Sequence, residues 1–393
     1  MTPIPRPKSF SGPALLSYGF RPFFLFGAVY ARLGILIWLP MFFGEMAMPT
    51  AFSPLDWHIH EMLYGYLPAV ITGFLLTAVP NWTGRLPLQG GSLAGLVTVW
   101  IAGRIAVCVS AVIGPLASAA VDVLFLLLVA AATGREVFAG RKWHNLPPIF
   151  IVLIFLAGNV LFHIEDYAAG KAEFSTRLGT AAAIALISLI GGRVVPSFTR
   201  NWLARENPGR LPVPFGRFDQ AVVAVSVLAM VSWVASPAWI GTAAVMLLAA
   251  AAQTIRLARW AGDRTWRDRL VLILHIGYAF VPLGFAMLAA NILLPQVISI
   301  SAGIHAWTVG AIGTMTLAIM TRASLGHTGH TLAAGPLTHA IYAAVVIAAV
   351  LRVAAALLPD AMTLLLHAAA AAWIAAFWMF AAGYGPLLMR PGR

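Results

Sequence analysis

Long apolar runs separated by short polar or turn-forming segments dominate the chain. Twelve runs approach the roughly 20 residues that cross a bilayer as a helix, and breaks such as Gly114-Pro115 and Pro359-Asp360 separate neighbouring runs. They cover residues 20–43, 55–80, 92–114, 116–133, 147–163, 178–195, 218–235, 240–256, 270–294, 297–320, 336–358 and 361–388. The pattern predicts an all-α polytopic membrane protein with about twelve transmembrane helices. No stretch resembles a soluble domain, so residues 1–393 are expected to form a single transmembrane domain.

Lysine and arginine alternate between rich and poor loops. Twenty of the 25 basic residues lie in the N-terminal segment 1–19 with the first turn of the first run, in every second loop, or at the C-terminus. The other five are Arg32, Arg104, Lys171, Arg177 and Arg352. Because basic residues favour cytoplasmic loops, both termini are predicted to be cytoplasmic, and the alternation independently favours twelve spans.

Composition supports the membrane assignment and excludes several classes of site. Hydrophobic residues make up 61% of the chain and charged residues 10%, with a mean hydropathy of +0.88. The net charge of +12 follows from loop arginines that topology requires, so no nucleic-acid partner is expected. The single cysteine, Cys108, excludes a disulfide framework, a zinc ribbon and a thiolate-held iron–sulfur cluster.

The densest polar motif is Trp57-His58-Ile59-His60-Glu61-Met62, at the start of the second run. Two imidazoles and a carboxylate in four positions suit a transition-metal or haem site. On one helix His58 and His60 would point about 200° apart, so one is expected to be a ligand while the other orients it or serves a second group. His305, in the tenth run, is the natural partner from another helix. The alternative is a belt of His, Trp and Tyr at the membrane surface.

A second polar group is expected toward the inner side. His275 lies about two turns into the ninth run, and Arg322, His327 and His330 follow the tenth. A His-x-x-His pair beside an arginine suits a metal or an anion. A polar cytoplasmic loop with incidental histidines is the competing interpretation.

Arginines within spans need partners, because an unpaired charge in lipid is costly. Arg104 and Asp122 lie on neighbouring predicted helices, so we expect them to pair. The remaining positive charge, at Arg32 and Arg352, would be offset by haem propionates. Alternatively, these two side chains extend to the outer membrane surface.

A weak internal repeat is present. The second, sixth and tenth runs end in Thr83-Gly84-Arg85, Thr199-Arg200 and Thr321-Arg322, and His60 and His305 each precede a glycine by five positions. The spacing suggests three four-helix units with histidines in corresponding places.

Five segments together resemble the NnrS family, from the first run to the loop after the tenth. They are Gly19-Phe20-Arg21-Pro22-Phe23-Phe24, Trp57 to Met62, Gly73 to Arg85, Gly191-Gly192-Arg193 with Pro196-Ser197-Phe198-Thr199, and His305 with Gly326-His327-Thr328-Gly329. The resemblance implies a bacterial inner-membrane protein that contains haem and copper and takes part in nitric oxide metabolism and resistance to nitrosative stress.

The resemblance also implies site residues. The family's histidine positions fall on His58, His60, His275, His305 and His327, and its polar positions on Glu61, Arg104, Asp122, Arg193 and Arg322. His330 stands where the family commonly has arginine, so it is not expected to be a ligand. We expect the five histidines to hold haem and copper, with Arg104, Arg193 and Arg322 contributing to cofactor binding.

Two classes of function follow from these expectations. In the leading one, the protein binds or reduces nitric oxide. His58, His60 and His305 form an outer centre, with Glu61 as a proton carrier or as an acceptor of a hydrogen bond from a ligand, and His275 and His327 form an inner centre. Reduction would require quinol or a small electron donor. The alternative is a transporter or a haem- or metal-delivery protein without redox catalysis.

Overall fold

The computed structural model of the chain describes residues 10–141, 143 and 146–392, and of residues 81–83 the backbone alone. It is 81% helical, and the described part contains no β-strand. Twelve helices in this part are long and apolar enough to cross a membrane. The all-α fold and the number of spans predicted from the sequence are therefore confirmed.

The twelve helices are numbered here in chain order. They are α1 (Phe20–Phe42), α2 (Pro54–Pro80), α3 (Gly90–Cys108), α4 (Pro115–Ala139), α5 (Leu146–Ala169), α6 (Phe174–Glu206), α7 (Arg217–Ala235), α8 (Ile240–Arg264), α9 (Arg269–Leu293), α10 (Ile300–His327), α11 (Pro336–Leu357) and α12 (Pro359–Met389). An even number of crossings brings both ends of the chain to one side of a membrane. That this side is the cytoplasm stays a prediction from the loop charges.

Several helices continue beyond the apolar runs. The predicted run 178–195 lies within α6, which extends to Glu206, and the run 297–320 corresponds to α10, which extends to His327. A helix satisfies its own backbone hydrogen bonds, so it can continue into polar sequence. Hydropathy marks the lipid-compatible length rather than the helix end.

Capping residues define two of the helix starts. Ser53 accepts a hydrogen bond from the Asp56 backbone N at 3.1 Å, and Pro54 supplies a first helical position that needs no donor. At α9, the Asp268 carboxylate accepts from the backbone N of Leu270 at 2.9 Å and of Val271 at 3.3 Å. Asp268 lies outside the spans, and burial raises its pKa.

Three helices contain a π-helical segment, in which an extra residue widens the turn. These segments are Glu61–Tyr66 in α2, Ile187–Gly191 in α6 and Ala306–Gly313 in α10. Such segments are rare and frequently occur at functional sites. They fall in the same three helices that carry the predicted sequence repeat.

The chain divides into two compact units. The first comprises Met1–Gly179, Ala323–His330 and Phe380–Arg393, and the second comprises Thr180–Arg322 and Thr331–Met379. In the first unit α2 packs against α1, α3, α4 and α5 and is the most buried of its spans. In the second unit α8 packs between α7 and α9, and α9 packs on α10. Side chains from α2 therefore face the interior of the first unit on several sides.

Candidate metal centre

A buried polar cluster lies in the first unit, where α2, α4 and α5 meet. His60 comes from α2, Asp122 from α4, and Asn159 and His163 from α5; all four are buried. The Asp122 Oδ2 atom is the hub, 3.2 Å from His60 Nε2, 3.0 Å from His163 Nε2 and 2.8 Å from Asn159 Nδ2. Three side-chain nitrogens therefore converge on one carboxylate oxygen.

Local helix geometry explains this convergence. Asn159 and His163 are four residues apart on α5 and so share one face. Asn159 Nδ2 donates to Asp122, and its Oδ1 lies 3.0 Å from His60 Nε2. On α2, His60 is the last residue before the π-helical segment, which begins at Glu61. The wider turn brings adjacent residues His60 and Glu61 into contact, with His60 Nδ1 2.8 Å from Glu61 Oε1.

Arg104 of α3 connects the two carboxylates. Its Nη1 donates to Glu61 Oε1 at 2.5 Å, and its Nη2 donates to Asp122 Oδ1. The pairing of Arg104 with Asp122 predicted from the sequence is confirmed. Tyr30 of α1 donates its hydroxyl to the other oxygen of Glu61. Glu61 therefore lies between the His60 imidazole and the Tyr30 hydroxyl.

Close approach of α3 to α2 depends on Gly65 within the π-helical segment. A Cβ atom at this position would collide with the Arg104 guanidinium. The widened turn also leaves the Gly65 carbonyl available, and Trp100 Nε1 donates to it at 2.9 Å. The segment thus makes room for a charged side chain and satisfies its own backbone at the same point.

The donor atoms of His60, Asp122 and His163 fit a single metal ion. Each offers one ligand atom, and these atoms lie within 4.8 Å of one another. With neutral histidines and ionised carboxylates, Glu61, Asp122 and Arg104 leave one net negative charge among buried groups, which a cation would offset. Two imidazoles and a carboxylate suit copper, iron or zinc.

Aromatic rings enclose the His60 imidazole. Ring centroids lie 5.1 Å away for Phe52, 5.1 Å for Phe162 and 5.8 Å for Tyr64. Phe52 also lies 5.4 Å from the His163 ring. His60 is fully buried, so the surroundings of its ring suit a single ion better than a haem macrocycle.

His58 points away from this cluster. Its ring stacks on Trp38 of α1, with centroids 4.1 Å apart and planes 21° apart. His60 instead reaches Asn159 of α5. The prediction that these two histidines face different directions on one helix is confirmed.

The match to a known family is nearly as long as the chain. A model described as "NnrS protein" matches residues 14–392. The chain belongs to the NnrS family. A search of curated proteins found no match. NnrS membership, together with twelve candidate spans, identifies a multi-pass membrane protein related to nitric oxide.

In this NnrS protein, His305 and His275 lie in the second unit. His305 Nδ1 is 2.8 Å from the carbonyl oxygen of Ser301, and Arg352 Nη2 donates to the Ser301 hydroxyl at 3.3 Å. A donating Nδ1 directs a neutral imidazole to bind a metal through Nε2. His275 Nε2 is 2.8 Å from Thr199 Oγ1, which itself donates to the Val195 carbonyl, so His275 donates through Nε2. Its Nδ1 lies against Gly262.

The remaining predicted residues have aromatic neighbours. His327, in the first unit, lies 5.4 Å from the Phe20 ring. In the second unit, the guanidinium carbon of Arg322 lies 4.1 Å from the Phe198 ring, and that of Arg193 lies 6.0 Å from the Phe215 ring. Assignment of haem or copper to His58, His275, His305 and His327 stays a prediction.

Sequence reasoning missed His163 and Asn159 as site residues and Asp122 as a metal ligand. It identified Asp122 as the partner of Arg104 and as a polar position of the family, not as a ligand. A signal was present in Asn159-x-x-x-His163, two polar residues one turn apart within an apolar run. Such a pair indicates a polar stripe that must face protein, although the spacing does not reveal which helix faces it.

Proposed function

We propose that this protein is a metal-containing membrane protein of nitric oxide metabolism that protects the bacterial inner membrane against nitrosative stress by binding nitric oxide or reducing it. The observation that carries the proposal is the buried group of His60, Asp122 and His163, whose donor atoms lie within 4.8 Å of one another. NnrS membership supplies the connection to nitric oxide.

His60, Asp122 and His163 would hold copper, and the chemistry of the donor set supports this assignment. Imidazole nitrogen binds copper well, and a carboxylate adds the negative charge that offsets the ion. Copper bound there would supply a centre that binds nitric oxide and exchanges one electron. Asn159 holds Asp122 in place through a 2.8 Å hydrogen bond, as residues around metal ligands commonly do.

Glu61 and Arg104 would serve proton handling and orientation. Glu61 contacts His60, Arg104 and Tyr30, so it can accept or donate a proton at the edge of the metal group. Arg104 fixes the position of both carboxylates. If the protein reduces nitric oxide, quinol or a small electron donor would provide the electrons. Haem, the second proposed cofactor, would bind at histidines other than His60.

Metal analysis of the full-length protein purified in detergent tests the proposal. We expect copper at about one ion per chain in addition to any haem iron, and loss of that copper in His163→Gln. The matched control is His339→Gln, which makes the same substitution at an exposed histidine of α11. Wild-type protein without copper, or equal losses in the two variants, would show that the assignment is wrong.

Nitric oxide consumption distinguishes the classes of function. Reduced wild-type protein is expected to consume or retain nitric oxide, and the His163→Gln variant to do so less. Binding without consumption identifies a scavenger. Copper movement into proteoliposomes without any nitric oxide uptake would favour the alternative, a metal-delivery protein or transporter.

A further inference from the structure

A second buried ionic cluster lies in the second unit, among α6, α7, α8 and α9. Arg256 of α8 is fully buried, and its Nε donates to Asp219 Oδ1 of α7 at 3.0 Å. Its Nη1 donates to the Ser188 carbonyl oxygen at 3.0 Å and to the Tyr278 hydroxyl at 3.1 Å. This cluster contains no histidine, so its chemistry differs from that of the candidate metal centre.

One end of the Arg256 guanidinium is unsatisfied. Nη2 is buried and has no hydrogen-bond partner among the described residues. It lies against Gly192, where a Cβ atom would collide with it. A buried donor left without a partner is costly, so the position calls for a group that accepts from it.

A second arginine lies near the same aromatic ring as Arg256. Arg193 follows Gly192 directly, and its guanidinium carbon is 6.0 Å from the Phe215 ring, while that of Arg256 is 5.9 Å from the same ring. Phe215 belongs to the segment between α6 and α7 and is partly exposed. Both guanidinium groups therefore lie near one ring, and Arg193, Arg256 and Phe215 are together called the corner below.

The segment that carries Phe215 is held in place on both sides. Arg200 Nη2 donates to the Pro212 carbonyl oxygen at 3.1 Å, and the Val213 backbone N donates to the Arg259 carbonyl oxygen at 3.1 Å. Phe215 consequently belongs to an anchored segment.

The charges at this corner favour a monovalent anion. Asp219 offsets Arg256, whereas no ion pair involves Arg193 within the described part of the chain. One positive charge therefore remains. Arg200, Arg205, Arg259 and Arg264 lie in the neighbouring parts of the sequence and add positive charge, which raises the local concentration of anions, whereas Arg210 is offset by Asp263.

We propose that Arg193 and Arg256, which both lie near the Phe215 ring, bind a small monovalent oxyanion. The guanidinium plane presents parallel N–H donors that match the two oxygens of a planar oxyanion. Arg256 contributes its unsatisfied Nη2, and Arg193 contributes the uncompensated charge. Binding requires none of the residues of the candidate metal centre, so it goes beyond the proposed function and stands independently of it.

Calorimetric titration of metal-depleted, full-length protein with sodium nitrite, at constant ionic strength, tests the proposal. We expect saturable binding to one site per chain and a loss of affinity of about tenfold or more in Arg193→Gln, since one charge-assisted hydrogen bond is removed. The control is Arg217→Gln, the same change at an exposed arginine that begins α7. It should change the affinity by less than roughly twofold if only the general field of the surface is reduced.

Arg193 is exposed, so Arg193→Gln is expected to leave the fold intact. Arg256 is buried, so a variant such as Arg256→Lys requires a folding check by circular dichroism. Absence of saturable nitrite binding would overturn the proposal and indicate that water satisfies Nη2. Equal weakening by Arg193→Gln and Arg217→Gln would also overturn it, because surface charge alone would then explain the effect. Displacement of nitrite by equimolar chloride would contradict recognition of an oxyanion.

Discussion

Replacement of Arg104 by glutamine tests whether the buried charges of the first unit form one electrostatic unit. The guanidinium connects Glu61 and Asp122, and all three residues are at most 4% exposed. With neutral histidines, its removal raises the net charge of the cluster from one to two negative charges among buried groups. Breaking a buried pair in this way typically costs about 3–5 kcal/mol.

The assay is unfolding of metal-depleted protein in mixed micelles at increasing denaturing-detergent fraction, followed by circular dichroism. The control is Arg135→Gln, which removes the same charge from an exposed side chain whose partner, Glu136, lies 2.9 Å away. An exposed pair is worth about 0–1 kcal/mol. We therefore expect Arg104→Gln to be the more destabilising change by roughly 2–5 kcal/mol.

A double variant provides the decisive comparison. Combining Arg104→Gln with Asp122→Asn restores the net charge of the wild-type cluster. The pair is expected to be less destabilised than the sum of the single variants, with a coupling of about 0.5–3 kcal/mol. Additive losses, or an Arg104→Gln loss no larger than that of Arg135→Gln, would refute the view that these charges depend on one another.

Three further changes have expected outcomes in the same unfolding assay or in metal analysis. Gly65→Ala places a methyl group against the Arg104 guanidinium and should cost about 1–3 kcal/mol, whereas Gly95→Ala, with nothing within 4 Å, should be neutral or stabilising by up to about 1 kcal/mol. Asp268→Ala removes the cap of α9 and should cost about 0.5–2 kcal/mol; a loss just as large in Asp268→Asn would show that capping is not the cause. Phe52→Ala uncovers both histidine rings and should accelerate removal of copper by a chelator, and an unchanged rate would show that Phe52 does not limit access.

The topology could be predicted from the sequence because the bilayer constrains it strongly. A spanning helix needs about 20 apolar residues, so counting runs gave twelve helices. The pairing of Arg104 with Asp122 was predictable for a related reason. Lipid cannot solvate either charge, and neighbouring helices connected by a short turn bring the two into reach.

The set of residues that forms the candidate metal centre was harder to predict from the sequence. Helix rotation showed that His58 and His60 diverge, because 100° per residue is a local property. The partner of His60 depends on which helices pack together, and His163 of α5 contributes through a contact separated by about a hundred residues. Hydropathy gave the depth of a residue along its helix but not the neighbours of that helix, so the contact between His60 and His163 was not predicted.

The π-helical segments escaped prediction for a different reason, since a pattern with a period of 3.6 residues does not mark one inserted residue. Two of them nevertheless show the same construction. Gly65 follows Glu61 by four residues and lies under Arg104, and Gly192 follows Ser188 by four residues and lies under Arg256. In each, the arginine also pairs with an aspartate from an adjacent helix.

The shared construction separates what supports a buried arginine from what determines the ligand. In both clusters, a glycine admits the guanidinium and an aspartate offsets it. The first cluster adds a second carboxylate, which makes its net charge negative, and two histidines, which with Asp122 are candidate metal ligands. The second cluster has Ser188 where the first has the glutamate. It adds Arg193, which makes no ion pair in the described part of the chain, so its net charge is positive. If both proposals hold, one backbone arrangement presents a cation site in the first cluster and an anion site in the second, and the residue four positions before the glycine, acidic in one cluster and neutral in the other, contributes to that difference.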